Sequence, residues 1–375
     1  MKTNLKSPIF ACAMLAALAM LAPSVSAYGQ FRLQSNIFGK NKLSYNPPIF
    51  PQEYKAAITK LNDDLVTTMP NYIMLCDSVA VLAAGSVDND KHFQIVSLKD
   101  GRYIDAFGYV GRGPKELKSY KHLDFDAKRN LIFAIDNNGK SITINLNRAL
   151  LGRDDYVVDC WQMPTIRRSN ITYHLGNRLL HAECSSCSRF FTTAINGLDT
   201  LNRYEEYPSI TKFLNDNKQC KINYFRSHSV SAIKPDRTQL VNITGWGMVM
   251  EIFNIADGQV SSKLAHRFYR PQTDESDTEI FKGDKNNVIG GIQAYATDKY
   301  IYALYYDTVG ADDDFFKNTL PPHIGVFDWQ GREVCRYTFK NDHIMTFAVT
   351  PDDKRCYCWV MNADGEEYLG YFDLK

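Results

Sequence analysis

Charge of either sign is what this chain lacks in excess: Lys and Arg total 43 against 42 for Asp and Glu, a formal net charge of +1. So even a balance excludes the global basic field that draws proteins onto nucleic acid or acidic surfaces. Long apolar runs are equally scarce. Beyond the N-terminus nothing approaches the ~18 apolar residues a membrane helix needs, so no membrane span is expected. Signatures of enzymic nucleophiles and metals are missing too. No Gly-x-Ser-x-Gly elbow and no His-Glu-x-x-His helix occurs, which removes the common hydrolase and zincin readings. The acidic runs Asp274-Glu275-Ser276-Asp277 and Asp312-Asp313-Asp314 lack the spaced ligands and central glycine of a dedicated calcium loop and read as solvated loops. No metal or cofactor is expected.

What is present is strand-forming material: 375 residues, 45% hydrophobic, with 22 Tyr and 21 Phe. Aromatic residues suit the half-buried faces of strands. The length allows one large repeat fold or two ordinary domains.

The first residues read as a targeting segment. Lys2 and Lys6 form a basic start, Ile9 to Ala22 an apolar stretch, and Val25-Ser26-Ala27 a small-residue cleavage site. Export to the periplasm or beyond is therefore expected, with residues 1–27 removed near Ala27. Lipoprotein processing at Cys12 is the second reading, opposed by bulky Phe10 and by the apolar run lying mostly after the cysteine. Loss of Cys12 leaves eight cysteines, an even number that permits disulfides without requiring them. Cys184-Ser185-Ser186-Cys187 falls in a hairpin, where no helix N-terminus stabilises a thiolate. It reads as a local disulfide or two free thiols. Cys356 and Cys358, two apart on a strand, share a face and are expected to pack between sheets.

From Asn71 onward one unit recurs: strand, turn, strand, loop, strand, turn, strand. The second strands begin at Val79, Leu131, Arg178, Gln239, Tyr300 and Arg355, and the third strands near Phe93, Ser141, Phe190, Met250, Ile324 and Tyr368. Asp100-Gly101, Asp257-Gly258 and Gln330-Gly331 supply hairpin turns. Six four-stranded repeats of this length indicate an all-β, six-bladed β-propeller over residues 71–375. The sixth unit runs out after three strands. An N-terminal strand must then complete the last blade, and Ile37 to Tyr45 is the expected donor. Gln52 to Leu65, with Ala56, Ala57, Leu61 and Leu65 at helical spacing, is expected to be a short helix within the 28–70 segment. The Ser-x-Asp-x-Gly-x-Thr-Trp hairpins of six-bladed sialidases are absent.

Phe107-Gly108 followed by Gly111-Arg112-Gly113-Pro114-Lys115-Glu116-Leu117 resembles the "fG-x-x-GrGPgE" segment of the TolB-like six-bladed propellers. Lys234-Pro235-Asp236-Arg237 and Thr350-Pro351-Asp352-Asp353-Lys354 are similar to that family's turn between first and second strands. Lys115 departs from the usual glycine. The resemblance implies an exported scaffold and brings no shared catalytic residues.

In a propeller the fourth-to-first and second-to-third connections open on one face around a central channel. Mapping the repeats places Arg112, Lys121, His122, Arg168, Arg226, His228 and His343 there as a cationic collar, with Trp246 as a stacking platform. The N–H groups of Gly111–Gly113 are a candidate anion nest. The competing reading makes these residues ordinary surface charges paired with Asp124, Asp342 and loop acids. The expected function is non-catalytic: a monomeric binding or scaffolding module meeting an envelope protein or a glycan through this face. The alternative is a propeller-type hydrolase or lyase acting on an anionic or carbohydrate substrate at the channel mouth. A carboxylate–histidine pair or a metal on the axis would favour it.

Overall fold

The structure, a computed structural model, describes residues 45–61, 69–84, 90–162, 169–184, 188–195, 200–206, 229–245, 247–269, 288–309, 322–340 and 342–375. It opens with two short strands, β1 (Glu53–Lys55) and β2 (Thr59–Lys60). The alternating runs then form six antiparallel sheets in chain order. Blade 1 comprises β3 (Tyr72–Cys76), β4 (Val79–Ala83), β5 (Lys91–Ser97) and β6 (Tyr103–Tyr109). Blade 2 comprises β7 (His122–Asp126), β8 (Leu131–Ile135), β9 (Lys140–Asn145) and β10 (Val157–Gln162), with the one-turn helix α1 (Leu146–Leu150) inserted. Blade 3 holds β11 (Ser169–His174), β12 (Arg178–Cys184), β13 (Ser188–Ala194) and β14 (Thr200–Glu206). Blade 4 holds β15 (Ser229–Ile233), β16 (Gln239–Thr244), β17 (Met248–Ala256) and β18 (Gln259–Tyr269). Blade 5 holds β19 (Gly291–Ala296), β20 (Tyr300–Tyr305), β21 (His323–Asp328) and β22 (Glu333–Thr338). Blade 6 holds β23 (His343–Val349), β24 (Arg355–Met361) and β25 (Glu367–Asp373). This is the expected six-bladed β-propeller, and all six second strands and six third strands lie where the repeat puts them.

The core is not one mass but a series of wedges between blades. Met74, Phe93, Leu123 and Ile142 fill the space between blades 1 and 2. Cys356 and Cys358 are buried with Leu304, Val326 and Phe347 between blades 5 and 6, as their shared strand face required. Among the described residues the thinnest apolar wedge joins blades 2 and 3, where Ile135 and Leu179 are backed by Trp161.

Closure of the ring corrects two expectations. Residues 37–44 lie outside the described residues, and the strand that completes blade 6 is β2, antiparallel to β25 with Thr59 opposite Tyr371. The segment expected as a helix instead forms β1 and β2 in its described part, through Leu61. β1 runs parallel to β22, with Tyr54 opposite Tyr337, giving blade 5 a fifth strand. Tyr54, Ala56 and Ile58 are partly buried against blades 5 and 6, while Lys55, Ala57 and Thr59 are exposed. That is the two-residue period of extended chain. The strap lies so close that a Cβ on Gly370 would sit 2.5 Å from Ile58 Cγ2. Arg336 fastens it by donating to both carboxylate oxygens of Glu53 at 3.1 Å.

Two outcomes check this closure. Removing residues up to Lys60 leaves the outer edges of β22 and β25 open, and the broad transition expected by calorimetry contrasts with the cooperative melt of the intact ring. Gly370→Val drives a side chain into Ile58 and should cost about 1–3 kcal/mol in urea denaturation, as overpacking does.

Candidate functional site

A cavity of ≈ 370 Å³ lies at the centre of the ring, lined by all six first strands. Tyr72, His122, Tyr173, Ser231, Tyr295 and Phe347 each face it from a different blade. Each first strand is hydrogen-bonded to its sheet on one edge only, so its other edge presents N–H and C=O groups toward the axis. Side chains of neighbouring blades cover several of these groups. The Gln293 amide donates to Phe347 O at 3.2 Å and accepts from Phe347 N–H at 3.0 Å, joining blade 5 to blade 6. Thr346 Oγ1 on blade 6 donates to Asn71 O, the residue before β3, at 3.4 Å.

The strongest such contact centres on Asp124. Its Oδ2 accepts from His174 N–H at 2.8 Å, tying blade 2 to blade 3. Both its oxygens accept from Arg237 Nη1, at 2.7 and 2.8 Å, while Arg237 Nη2 donates to Phe125 O at 3.2 Å. Arg237 stands in the turn between β15 and β16 with φ +61°, a left-handed conformation rare for a side-chain-bearing residue. From that turn its guanidinium reaches past blade 3 to blade 2, at the end of the channel where the first strands finish. His174 is buried, its ring stacked on Phe133 with 3.4 Å between centroids. Here polar chemistry links the blades whose apolar wedge is thinnest.

Burial alone would raise the Asp124 carboxyl, but the charge of Arg237 and the bonds from His174 outweigh it and hold the group well below the usual carboxylate range. His122 shows the opposite balance: burial dominates and lowers its imidazole to about 4, against the pull of Asp124. At neutral pH it is uncharged. Its Nδ1 lies 3.5 Å from Tyr72 Oη, and its Nε2 is buried with no hydrogen-bond partner among the described residues.

Four of the eight residues expected in the collar and its platform lie among the described residues. Arg168, Arg226, His228 and Trp246 lie outside the described residues, as do Cys187, Cys220 and both acidic runs. Arg112 is exposed on its loop, and Lys121 is half-buried with its N–H donating to Ile135 O at 2.7 Å. His343 is buried at the start of β23 and does not line the cavity. Of the four described members only His122 lines it, as a neutral group rather than a cation. Asp124 pairs with Arg237, and Asp342 accepts from Tyr368 Oη at 3.3 Å. Arg237 is visible in the sequence as part of a family-type turn, but nothing in that turn points to a partner 113 residues away.

The anion nest is filled from within. Glu116 Oε2 accepts from Gly113 N–H at 2.7 Å, and a Cβ on Gly111 would lie 2.0 Å from the same oxygen. Lys140 donates to the carbonyls of Gly113 and Glu116, and His92 Nε2 bonds Leu117 O at 2.8 Å. The glycines therefore make room for the loop's own carboxylate. Among the described residues no three His, Cys, Asp or Glu side chains are grouped to hold a metal, and no helix is long and apolar enough to cross a membrane.

Acidification should weaken the fold in two windows. His122 takes up a proton near ~6.5 in the unfolded chain and near about 4 in the folded one, so stability declines as pH falls between those values. The Asp124 contribution is complete above the unfolded carboxylate value of ~3.9 and is lost as pH falls below it toward the folded value. Urea titrations should show His122→Gln reducing the slope of the first window, to which His174 and His92, also lowered by burial, contribute. Asp124→Asn should flatten the second. Arg237→Met strands a buried carboxylate, and a loss of about 3–5 kcal/mol at neutral pH is expected.

Solved structures share this architecture at low identity. A protein of Bacteroides fragilis described as exported matches with a TM-score of 0.54 and 12% identity, over 88% of this chain and 98% of its own. A member of the DUF4221 family from Bacteroides vulgatus matches with a TM-score of 0.50 and 8% identity, over 88% and 98%. At such identities the likeness is one of fold. No curated protein matches the chain. The family model described as TolB-like 6-blade propeller-like matches residues 49–352, and with six blades closed by an N-terminal strap the chain belongs to that family.

Proposed function

We propose that the protein is an exported, non-catalytic recognition propeller that binds an envelope protein or glycan on the face where the fourth-to-first and second-to-third loops open. The observation that carries this reading is how the channel's reactive groups are used. The carboxylate–histidine pair near the axis, Asp124 and His174, is buried, and both Asp124 oxygens are taken by Arg237 and the backbone N–H of His174, with the imidazole Nδ1 3.8 Å from the carboxylate. A hydrolase or lyase needs such a pair open to its substrate. The cavity wall is instead mostly aromatic and aliphatic, as in sites that hold a ligand without transforming it. Tyr109 at the end of β6, with Val110 and Val309 on loop-face connections, stands exposed and offers contact area to a larger partner. Export to the periplasm or beyond is supported by the basic-then-apolar N-terminus with its Val25-Ser26-Ala27 site. The Bacteroides fragilis protein of the same fold is likewise described as exported.

The test is retention of envelope extract on the immobilised protein. Wild type should hold a protein or glycan fraction, and Arg112→Glu combined with Arg168→Glu should lower that retention by about tenfold, the effect of ~1.4 kcal/mol. Arg332→Glu, on a third-to-fourth turn of the opposite face, should leave retention unchanged. Equal loss from both variants would sink the loop-face reading.

A further inference from the structure

We infer that the central cavity receives an uncharged sugar residue, set against the aromatic side chains of its wall and hydrogen-bonded by His122. The inference rests on the recognition reading above and narrows it to a ligand class. Its first support is size: ≈ 370 Å³ falls at the lower end of the roughly 300–1,000 Å³ range of small-molecule sites, enough for a ring or two and too little for a folded segment.

The second is charge. Arg237, the cation that lines the cavity, already donates to both oxygens of Asp124, and it lies 3.9 Å from Asp126. His122 is neutral at physiological pH because burial holds its imidazole near about 4. An anionic ligand would lose its hydration and find, as the cation of the described wall, an Arg237 whose charge Asp124 already balances. A cationic ligand would find Asp124 already neutralised. Burying an unpaired charge costs far more than such a site returns. Of the anionic or carbohydrate substrates considered for the channel mouth, the charge of this cavity favours the uncharged carbohydrate.

The third is the hydrogen-bond chemistry of His122. Its Nε2 is buried and has no partner among the described residues, while Nδ1 faces Tyr72 Oη at 3.5 Å. If the phenol donates to Nδ1, Nε2 carries the proton and donates; in the other tautomer Nε2 accepts. A hydroxyl, being donor and acceptor, satisfies both, whereas a carbonyl or an ammonium satisfies one. Ser229 and Ser231 stand in the wall, the latter donating to Asn242 Oδ1 at 3.1 Å, and the half-buried rings of Tyr72, Phe125 and Tyr295 offer apolar faces of the kind that pack on the C–H face of a sugar.

The probes are glucose, N-acetylglucosamine and glucuronate, titrated against the whole mature protein by saturation-transfer NMR and calorimetry. A neutral sugar should bind at least ~10-fold more tightly than glucuronate, equivalent to one unpaired buried group. His122→Gln, which keeps a donor and an acceptor, should stay within ~3-fold of wild type, while His122→Ala should weaken binding by ~10-fold. The comparison of neutral and acidic sugars on wild type stands whether or not the variants fold. Glucuronate binding as tightly as glucose, or no binding by either neutral sugar, overturns the inference. Envelope retention on the loop face would survive either result, so failure of the inference is distinct from failure of the recognition reading.

Discussion

A propeller places six strand edges around an empty axis, and the peptide groups on those edges must find partners without another strand to provide them. Much of this structure answers that constraint. Gln293, Thr346, Asp124 and Arg237 each reach from one blade to a backbone group of another. These contacts run between blades, so they stabilise the ring as well as the edge. The apolar wedges hold neighbouring blades face to face. The polar contacts hold them at the axis, between blades 2 and 3 among others, where the apolar wedge is thinnest among the described residues.

The same constraint decides where function can reside. A carboxylate engaged by a guanidinium and a peptide N–H is held in place by three blades at once. What remains at the axis is a small chamber of aromatic and hydroxyl groups with balanced charge. Strained backbone at Arg237 marks an architectural role: the left-handed turn is the launching point from which one side chain spans two blade boundaries.

How much of this the amino-acid order carries depends on the range of the interaction. Second and third strands are legible because alternation and hairpin turns are local. The strap misleads because Tyr54, Ala56 and Ile58 set a period of two, while Ala56, Ala57 and Leu61 mimic one of three and four in the same stretch. Pairing with β22 and β25 decides in favour of extended chain. β2 is two polar residues long and pairs through its backbone, so no side-chain pattern announces it. At the axis, the place of His122 in the repeat puts it on the channel, but its charge state depends on burial, which position alone does not give. The Asp124–Arg237 pair joins blades that are not sequence neighbours, and no motif encodes that meeting.

The glycine-rich joint between blades 1 and 2 is a loop that provides its own filling. The N–H groups of such a turn ordinarily wait for an ion from solution, and their shape then changes with what is dissolved around them. With Glu116 folded into the turn and Lys140 across its carbonyls, the segment carries its counter-ion covalently. The shape of this seam between blades is thereby set by the chain itself.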